Sequence, residues 1–143
     1  MFTEVTPAYV RLIHPIHAMF LAFPLALFVA ALLSDIAYFN TFHVQWSNFS
    51  SWLIAGGLVG NGFALLWALV DLIRFRRSGI ALPLAYVAAL LASFVLGFIN
   101  ALVHAKDAWA VMPTGLYLSI AVALLGLVGA WIGYSGYRSV EER

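Results

Sequence analysis

The sequence contains no cysteine and very little charge, and both absences restrict what the protein can be. Without cysteine there is no disulfide, iron–sulfur ligation, thiolate chemistry or c-type haem attachment. Any metal or haem must therefore rely on histidine, methionine, carboxylate or carbonyl oxygen. Charged residues are 9% of the 143 residues and the formal net charge is +1, with no basic run interleaved with aromatics. This distribution excludes a nucleic-acid partner.

The composition of the chain is strongly hydrophobic. Hydrophobic residues make up 64% of it, and the mean hydropathy is +0.99. A water-soluble domain of this length must cover a large exterior with polar groups. The lipid bilayer is therefore the expected solvent.

Four stretches free of Asp, Glu, Lys and Arg are each long enough to cross a bilayer, at residues 12–34, 36–70, 78–105 and 108–137. They predict an all-α fold, a single domain of four transmembrane helices at about residues 15–38, 51–73, 80–103 and 114–134. Ser50 or Ser51 is the expected cap of the second helix, and Gly79 with Pro83 marks the start of the third. A signal peptide is the alternative for the first helix, but its apolar run is longer than a signal core.

Basic residues predict the orientation, because positively charged loops stay in the cytoplasm. Lys106 alone falls on one side of the predicted membrane. Six arginines fall on the other: Arg11, Arg74, Arg76, Arg77, Arg138 and Arg143. Both termini are therefore predicted to be cytoplasmic, in a bacterial inner membrane. Gly56 with Gly60, and Gly129 with Gly133, form small-xxx-small pairs typical of close helix packing.

Two histidines near the start of the first helix are the first candidate site. His14 and His17 are three residues apart, which places them on one helix face. They could bind a metal or ligate haem, or they could be interfacial histidines bonded to the backbone or to Asp71. Asp35 lies about 27 Å further along the same helix, so it cannot share a site with His17.

The opposite end of the predicted bundle holds a second candidate site. Mixed nitrogen and oxygen ligands that suit a divalent metal occur there: Asp35, His43, His104 and Asp107. The alternative is that Asp35 pairs with His104 or Lys106 and locks two helices together. Other polar residues are expected to have structural roles: Asn61, Asp71, Asn100 and Lys106.

Topology constrains haem ligation. His14 or His17 and His104 lie on opposite sides of about 30 Å of hydrocarbon, so they cannot be the two axial ligands of one haem. A haem b or quinone at His14, His17 or His104 requires further ligands or a partner subunit. No Ser-His-Asp constellation, HExxH or paired-carboxylate motif indicates a self-contained hydrolase.

Two motifs resemble a known family. The stretch HPIHAMFLAFPLALFVAALLSDIAY and the later NALVHAKDAWAVMPTGLYLS are similar to the short, HP-x-H branch of the predicted bacterial membrane proteins catalogued as domain of unknown function 2231. The likeness covers nearly the whole chain, although Ala18 stands where a proline is common and the usual charged tail is missing. The residues that match are His14, Pro15, His17, Phe23, Pro24, Asp35, Asn100, His104, Lys106, Asp107, Trp109, Pro113, Thr114 and Gly115.

The family has no assigned activity, but the resemblance implies a setting. Relatives occur beside Rieske-type and sugar-dehydrogenase proteins, which implies membrane or periplasmic redox partners and electron transfer through haem b or quinone. The first hypothesis is therefore an accessory subunit of a membrane redox system. The second is a non-catalytic anchor or assembly subunit, alone or as a homo-oligomer. Passage of a small solute or ion ranks third, because little beyond Asn61 is polar near the membrane centre.

Overall fold

The computed structural model describes residues 9–11, 13–77, 84–135 and 137–139. Its four long helices are α1 (Pro15–Thr41), α2 (Val44–Arg77), α3 (Leu84–His104) and α4 (Thr114–Ser135), with a 3-10 turn at Ala108–Ala110 before α4. Each is long and apolar enough to cross a membrane. The predicted all-α class with four spans is thus confirmed.

Local sequence sets both ends of α1. The His14 side chain caps the first turn, since its Nδ1 accepts a hydrogen bond from the Ile16 amide at 3.3 Å, and Pro15 occupies the first helical position, where no amide donor is needed. Phe42 ends the helix in the left-handed conformation, with φ of 53° and its amide bonded to the Tyr38 carbonyl. The helix runs three residues past its predicted end at residue 38.

The start of α2 differs from the prediction. The helix begins at Val44 and not at residue 51, so Ser50 and Ser51 lie inside it and are not caps. Their hydroxyls bond to carbonyls, Ser51 to Ser47 at 2.9 Å and Ser50 to Ala31 at 3.3 Å, which lets polar residues continue the helix. The predicted start of the third helix at residue 80, with its Gly79 and Pro83 signals, lies outside the described residues.

Glycines set how closely the helices approach. α1 packs against α2 and α4, and α3 packs against the same two helices. A Cβ atom at Gly60 of α2 would lie 2.1 Å from the Phe23 Cβ of α1, and one at Gly133 of α4 would lie 2.5 Å from Leu21 of α1. Gly56 and Gly129 also face neighbouring helices. The packing role predicted for the two glycine pairs is confirmed.

A short antiparallel pairing joins the segments that flank the bundle, which the sequence did not predict. β1 (Tyr9–Arg11) pairs with β2 (Tyr137–Ser139) in the register Val10 to Arg138. The segment before α1 and the segment after α4 therefore lie at the same end of the bundle. An even number of crossings requires this arrangement.

Two apolar clusters fill the interior at different heights. One contains Leu21 and Leu90 with alanines from α2 and α4, and the other is built around Phe28 and Val122. Large apolar side chains also cover the outside, among them Leu84 at 72% and Trp131 at 77% exposure. Lipid contact accounts for this apolar exterior.

Candidate functional sites

Most of the buried polar side chains fall, with their contacting neighbours, into three groups at different heights in the bundle. The Asp35 network contains Asp35, Ser50, Asn100, His104 and Ser119; the Asn61 pair contains Asn61 and Ser93; the His17 group contains His14, His17, Trp67, Asp71 and Tyr86. The first apolar cluster adjoins the His17 group and shares Tyr86 with it, and the second, around Phe28, lies nearer the Asp35 network. The structure therefore separates two candidate sites, one near each end of the helices.

The Asp35 network closes a ring of hydrogen bonds between α1, α3 and α4. His104 Nε2 lies 2.9 Å from Asp35 Oδ1, and both side chains have no solvent exposure. Ser119 donates to the other carboxylate oxygen at 2.5 Å, and Asn100 Nδ2 donates to Ser119 at 2.8 Å. His104 Nδ1 lies 3.0 Å from the Asn100 carbonyl oxygen.

Hydrogen-bond roles fix the proton count of this network. A backbone carbonyl only accepts, so His104 Nδ1 carries a proton and donates it to Asn100. One further proton lies between His104 Nε2 and Asp35 Oδ1, on either atom, and the pair is neutral overall. This neutrality reduces the cost of burying the pair. Both ring nitrogens of His104 are therefore engaged.

Ser50 adds a contact from α2 without forming a catalytic triad. Its hydroxyl lies 3.5 Å from His104 Nε2, the same nitrogen that faces Asp35. A nucleophile and an orienting acid must contact opposite ring nitrogens for relay catalysis. The arrangement therefore holds four helices together and has no triad geometry.

The four residues predicted as metal ligands are only partly brought together. Asp35 and His104 are in contact, whereas His43 and Asp107 are exposed. Since α1 continues to Thr41, its last residue lies about 9 Å beyond Asp35, and the following loop begins there. His43 instead lines a surface cleft with Trp46 and Phe49. Within the described part of the chain, no group of three or more metal-ligating side chains forms.

The other predicted partner of Asp35 was Lys106. This side chain is exposed, and the carboxylate bonds to His104 and Ser119. Of the two helix-locking pairs expected from the sequence, the structure therefore contains the one between Asp35 and His104.

The His17 group lies at the other end of α1. His17 is 2% exposed, and its Nε2 lies 2.8 Å from the Tyr86 hydroxyl of α3. Its Nδ1 lies 3.9 Å from the carboxylate of Asp71 on α2, too far for a direct hydrogen bond. The Trp67 ring stacks on His14 and contacts His17, with centroid distances of 5.3 and 5.8 Å. The shared face predicted for the two histidines is confirmed.

The neighbours of His17 favour one tautomer. If Tyr86 donates to Nε2, then Nδ1 carries the proton and faces the Asp71 carboxylate. The other tautomer would turn a nitrogen lone pair toward a carboxylate, which is repulsive. Nδ1 has no hydrogen-bond partner among the residues that the structure describes. The group thus contains a buried N–H donor available to a ligand.

The Asn61 pair joins α2 to α3 between the two end sites. Asn61 Nδ2 donates to Ser93 at 2.8 Å and to the Leu90 carbonyl at 3.3 Å. Its Oδ1 is buried and, within the described ranges, has no hydrogen-bond partner. The position of this pair fits the structural role predicted for Asn61.

Sequence reasoning missed several residues of these sites: Ser50, Trp67, Tyr86, Ser93 and Ser119. One signal could have found part of them. Tyr86, Ser93 and Asn100 recur every seven residues in an otherwise apolar helix, which places them on one face. The residues on α2 and α4 have no comparable pattern.

Comparison with known proteins identifies a family that the chain matches but no individual protein. The family model described as a predicted membrane protein, DUF2231, matches residues 13–138. The match covers all four helices and both candidate sites. No curated protein and no solved structure matches the chain.

Proposed function

We propose that this chain, which belongs to the DUF2231 family of predicted membrane proteins, is a small accessory subunit of a membrane redox system that binds a quinone at the His17 group. The four spans make it a multi-pass membrane protein in contact with lipid. The observation that carries the proposal is His17 Nδ1, a buried donor 3.9 Å from Asp71. A donor left unused in hydrocarbon costs free energy that a ligand oxygen would recover.

The chemistry of the His17 group suits a quinone headgroup. A quinone carbonyl oxygen needs a donor, which His17 Nδ1 supplies. The Tyr86 hydroxyl donates to His17 Nε2, so its oxygen is an acceptor for a quinol hydroxyl. The flat quinone ring needs an aromatic or apolar surface, which Trp67 supplies. The group also lies near the start of α1, close to the boundary where a lipid-borne ring meets water.

Haem b fits these residues less well. Both nitrogens of His104 take part in the Asp35 network. One nitrogen of His17 bonds to Tyr86, and the other carries the proton that faces Asp71. An axial ligand needs a free lone pair directed at the iron. We therefore propose quinone over haem as the cofactor.

A binding measurement tests this proposal. The purified protein in nanodiscs is titrated with a short-tail benzoquinone or naphthoquinone by calorimetry, and lipid extracts are assayed for co-purified quinone. We expect saturable binding that is at least tenfold weaker in His17→Ala, about 1.4 kcal/mol.

The matched control is His104→Ala, which removes the same side chain at the other end of the bundle. If folded His104→Ala weakens binding as much as His17→Ala, or if the wild type binds no quinone, the proposed site is wrong. An absorption spectrum of the same sample tests haem, since a Soret band would favour haem over quinone.

A non-catalytic anchor or assembly subunit is the second candidate function. The Asp35 network favours it, because its hydrogen bonds join all four helices and its titratable atoms are already paired. Its partners would be other membrane or periplasmic redox subunits or a second copy of this chain. Absence of quinone binding, with co-purification of a partner subunit or of a second copy by the wild-type protein, would support this function.

We also propose that the protein lies in a bacterial inner membrane with both termini in the cytoplasm. The absence of native cysteine makes the test direct, because single cysteines can be introduced. We expect Asp107→Cys to react with an impermeant maleimide added to spheroplasts, and Arg143→Cys to react only after lysis. The reverse result would invert the orientation.

A further inference from the structure

Three titratable side chains of the His17 group form a series that runs from the surface of the bundle to its interior. The Asp71 side chain on α2 is 11% exposed. His17 on α1 and Tyr86 on α3 are only 2% and 3% exposed. The imidazole lies between the other two, with Nδ1 toward the carboxylate and Nε2 toward the phenol. An imidazole whose two nitrogens face different partners can accept a proton on one side and release one on the other.

From this geometry we propose that Tyr86, His17 and Asp71 form a proton relay between the quinone site and the membrane surface. The inference rests on the proposed function for the source of its protons, since a bound quinol hydroxyl would deliver one to the Tyr86 oxygen as the quinol passes its electrons to the redox partner subunit, which is the oxidant. The phenolic proton then moves to His17 Nε2, and the Nδ1 proton moves to Asp71. One proton enters at the phenol and one leaves from the carboxylate, so the proton count is conserved.

The two steps of the relay differ in length. The phenol–imidazole contact of 2.8 Å is a hydrogen bond. The 3.9 Å between His17 Nδ1 and Asp71 Oδ2 needs a small carboxylate rotation or a bridging water. His14 stands outside the series, because it is exposed, stacks on Trp67 and uses its Nδ1 to cap α1.

Tyr38 provides a comparison within the same molecule. It is 2% exposed, nearly the same as Tyr86, but its hydroxyl donates to the Ala108 carbonyl at 3.0 Å. A carbonyl accepts a hydrogen bond without passing a proton on. Burial is thus matched in the two phenols, and only Tyr86 contacts a base.

Exchange of the phenolic protons with solvent tests the relay without any quinone. The full-length protein, labelled with 13C at tyrosine Cζ, is measured by NMR in a mixture of H2O and D2O, where the isotope effect on Cζ reports hydroxyl exchange. We expect the Tyr86 hydroxyl to exchange at least tenfold faster than that of Tyr38. In Asp71→Asn, which keeps the shape of the side chain, the Tyr86 rate should fall to that of Tyr38.

Asp35→Asn is the matched control, since it changes the buried acid at the other end of α1 and should leave the Tyr86 rate unchanged. Equal rates for Tyr86 and Tyr38 in the folded wild type would overturn the relay, as would an unchanged Tyr86 rate in folded Asp71→Asn. If Asp71→Asn does not fold, the comparison within the wild type decides. Because no quinone is present, failure of the relay is distinguishable from failure of quinone binding.

Discussion

Asp35→Ala is expected to destabilise the bundle by about 3–5 kcal/mol, the range measured when one partner of a buried pair is removed. The change leaves His104 Nε2 and the Ser119 hydroxyl without the carboxylate oxygens that they contact at 2.9 and 2.5 Å. Neither group can reach water, because the site is fully buried. The free energy of unfolding, measured by SDS titration in mixed micelles with circular dichroism, checks this result.

Asp35→Asn separates the hydrogen bonds of the network from its charge. An asparagine amide can donate to His104 Nε2, and its carbonyl can accept from Ser119, so every contact is kept. The expected loss is about 1 kcal/mol or less. A loss as large as that of Asp35→Ala would show that the hydrogen bonds alone do not account for the stability of the network and that the carboxyl group itself is needed.

Hydropathy was sufficient to predict the four spans, because lipid leaves a chain with few ways to satisfy its backbone. It was insufficient for the start of α2. Five of the seven residues from Gln45 to Ser51 are polar and resemble a loop. Ser50 and Ser51 nevertheless donate their hydroxyl protons to carbonyls of α1 and α2. Whether a serine ends a helix or lies within it depends on which carbonyl is near, and that is a tertiary contact.

The sequence likewise predicted only some of the residues of each candidate site. Asp35 with His104, and His17 with Asp71, could be expected because each pair falls at the same end of the predicted bundle. Ser119 and Tyr86 were not predicted, because which face of α3 or α4 turns inward depends on packing. His43 and Asp107 were grouped with Asp35 on the assumption of a compact outer loop, which the added length of α1 removes.

The two ends of the bundle also differ in what they leave unpaired, and this difference separates the two proposed functions. In the Asp35 network every nitrogen and oxygen of Asp35 and His104 has a partner, and the buried atom left without one among the described residues is an acceptor, Asn100 Oδ1. In the His17 group, one imidazole nitrogen has none among the described residues. A ligand gains most where a buried donor is unpaired. We therefore assign binding to the His17 group and helix locking to the Asp35 network.

Gly60→Val is expected to destabilise the bundle by about 3 kcal/mol, the upper part of the range for overpacked cores. Pro24 has no amide proton, so the Phe20 carbonyl lacks its helical donor. A Cβ at Gly60 would lie 3.3 Å from that carbonyl oxygen and 2.1 Å from the Phe23 Cβ. Neither atom is the free end of a flexible side chain, so α1 and α2 would have to separate.

Gly62→Ala is the matched control on the same helix. Its Cβ would meet only Cε2 of the Phe94 ring, at 3.3 Å, and a small ring movement relieves this contact. Alanine also favours a helix over glycine by about 1 kcal/mol, which offsets the crowding. Unfolding in SDS should therefore change by about 1 kcal/mol or less. If Gly62→Ala destabilises the protein as much as Gly60→Val, the two glycines of α2 are equally sensitive to substitution. The close approach of α1 to α2 near Pro24 would then not be the contact that sets the distance between these helices.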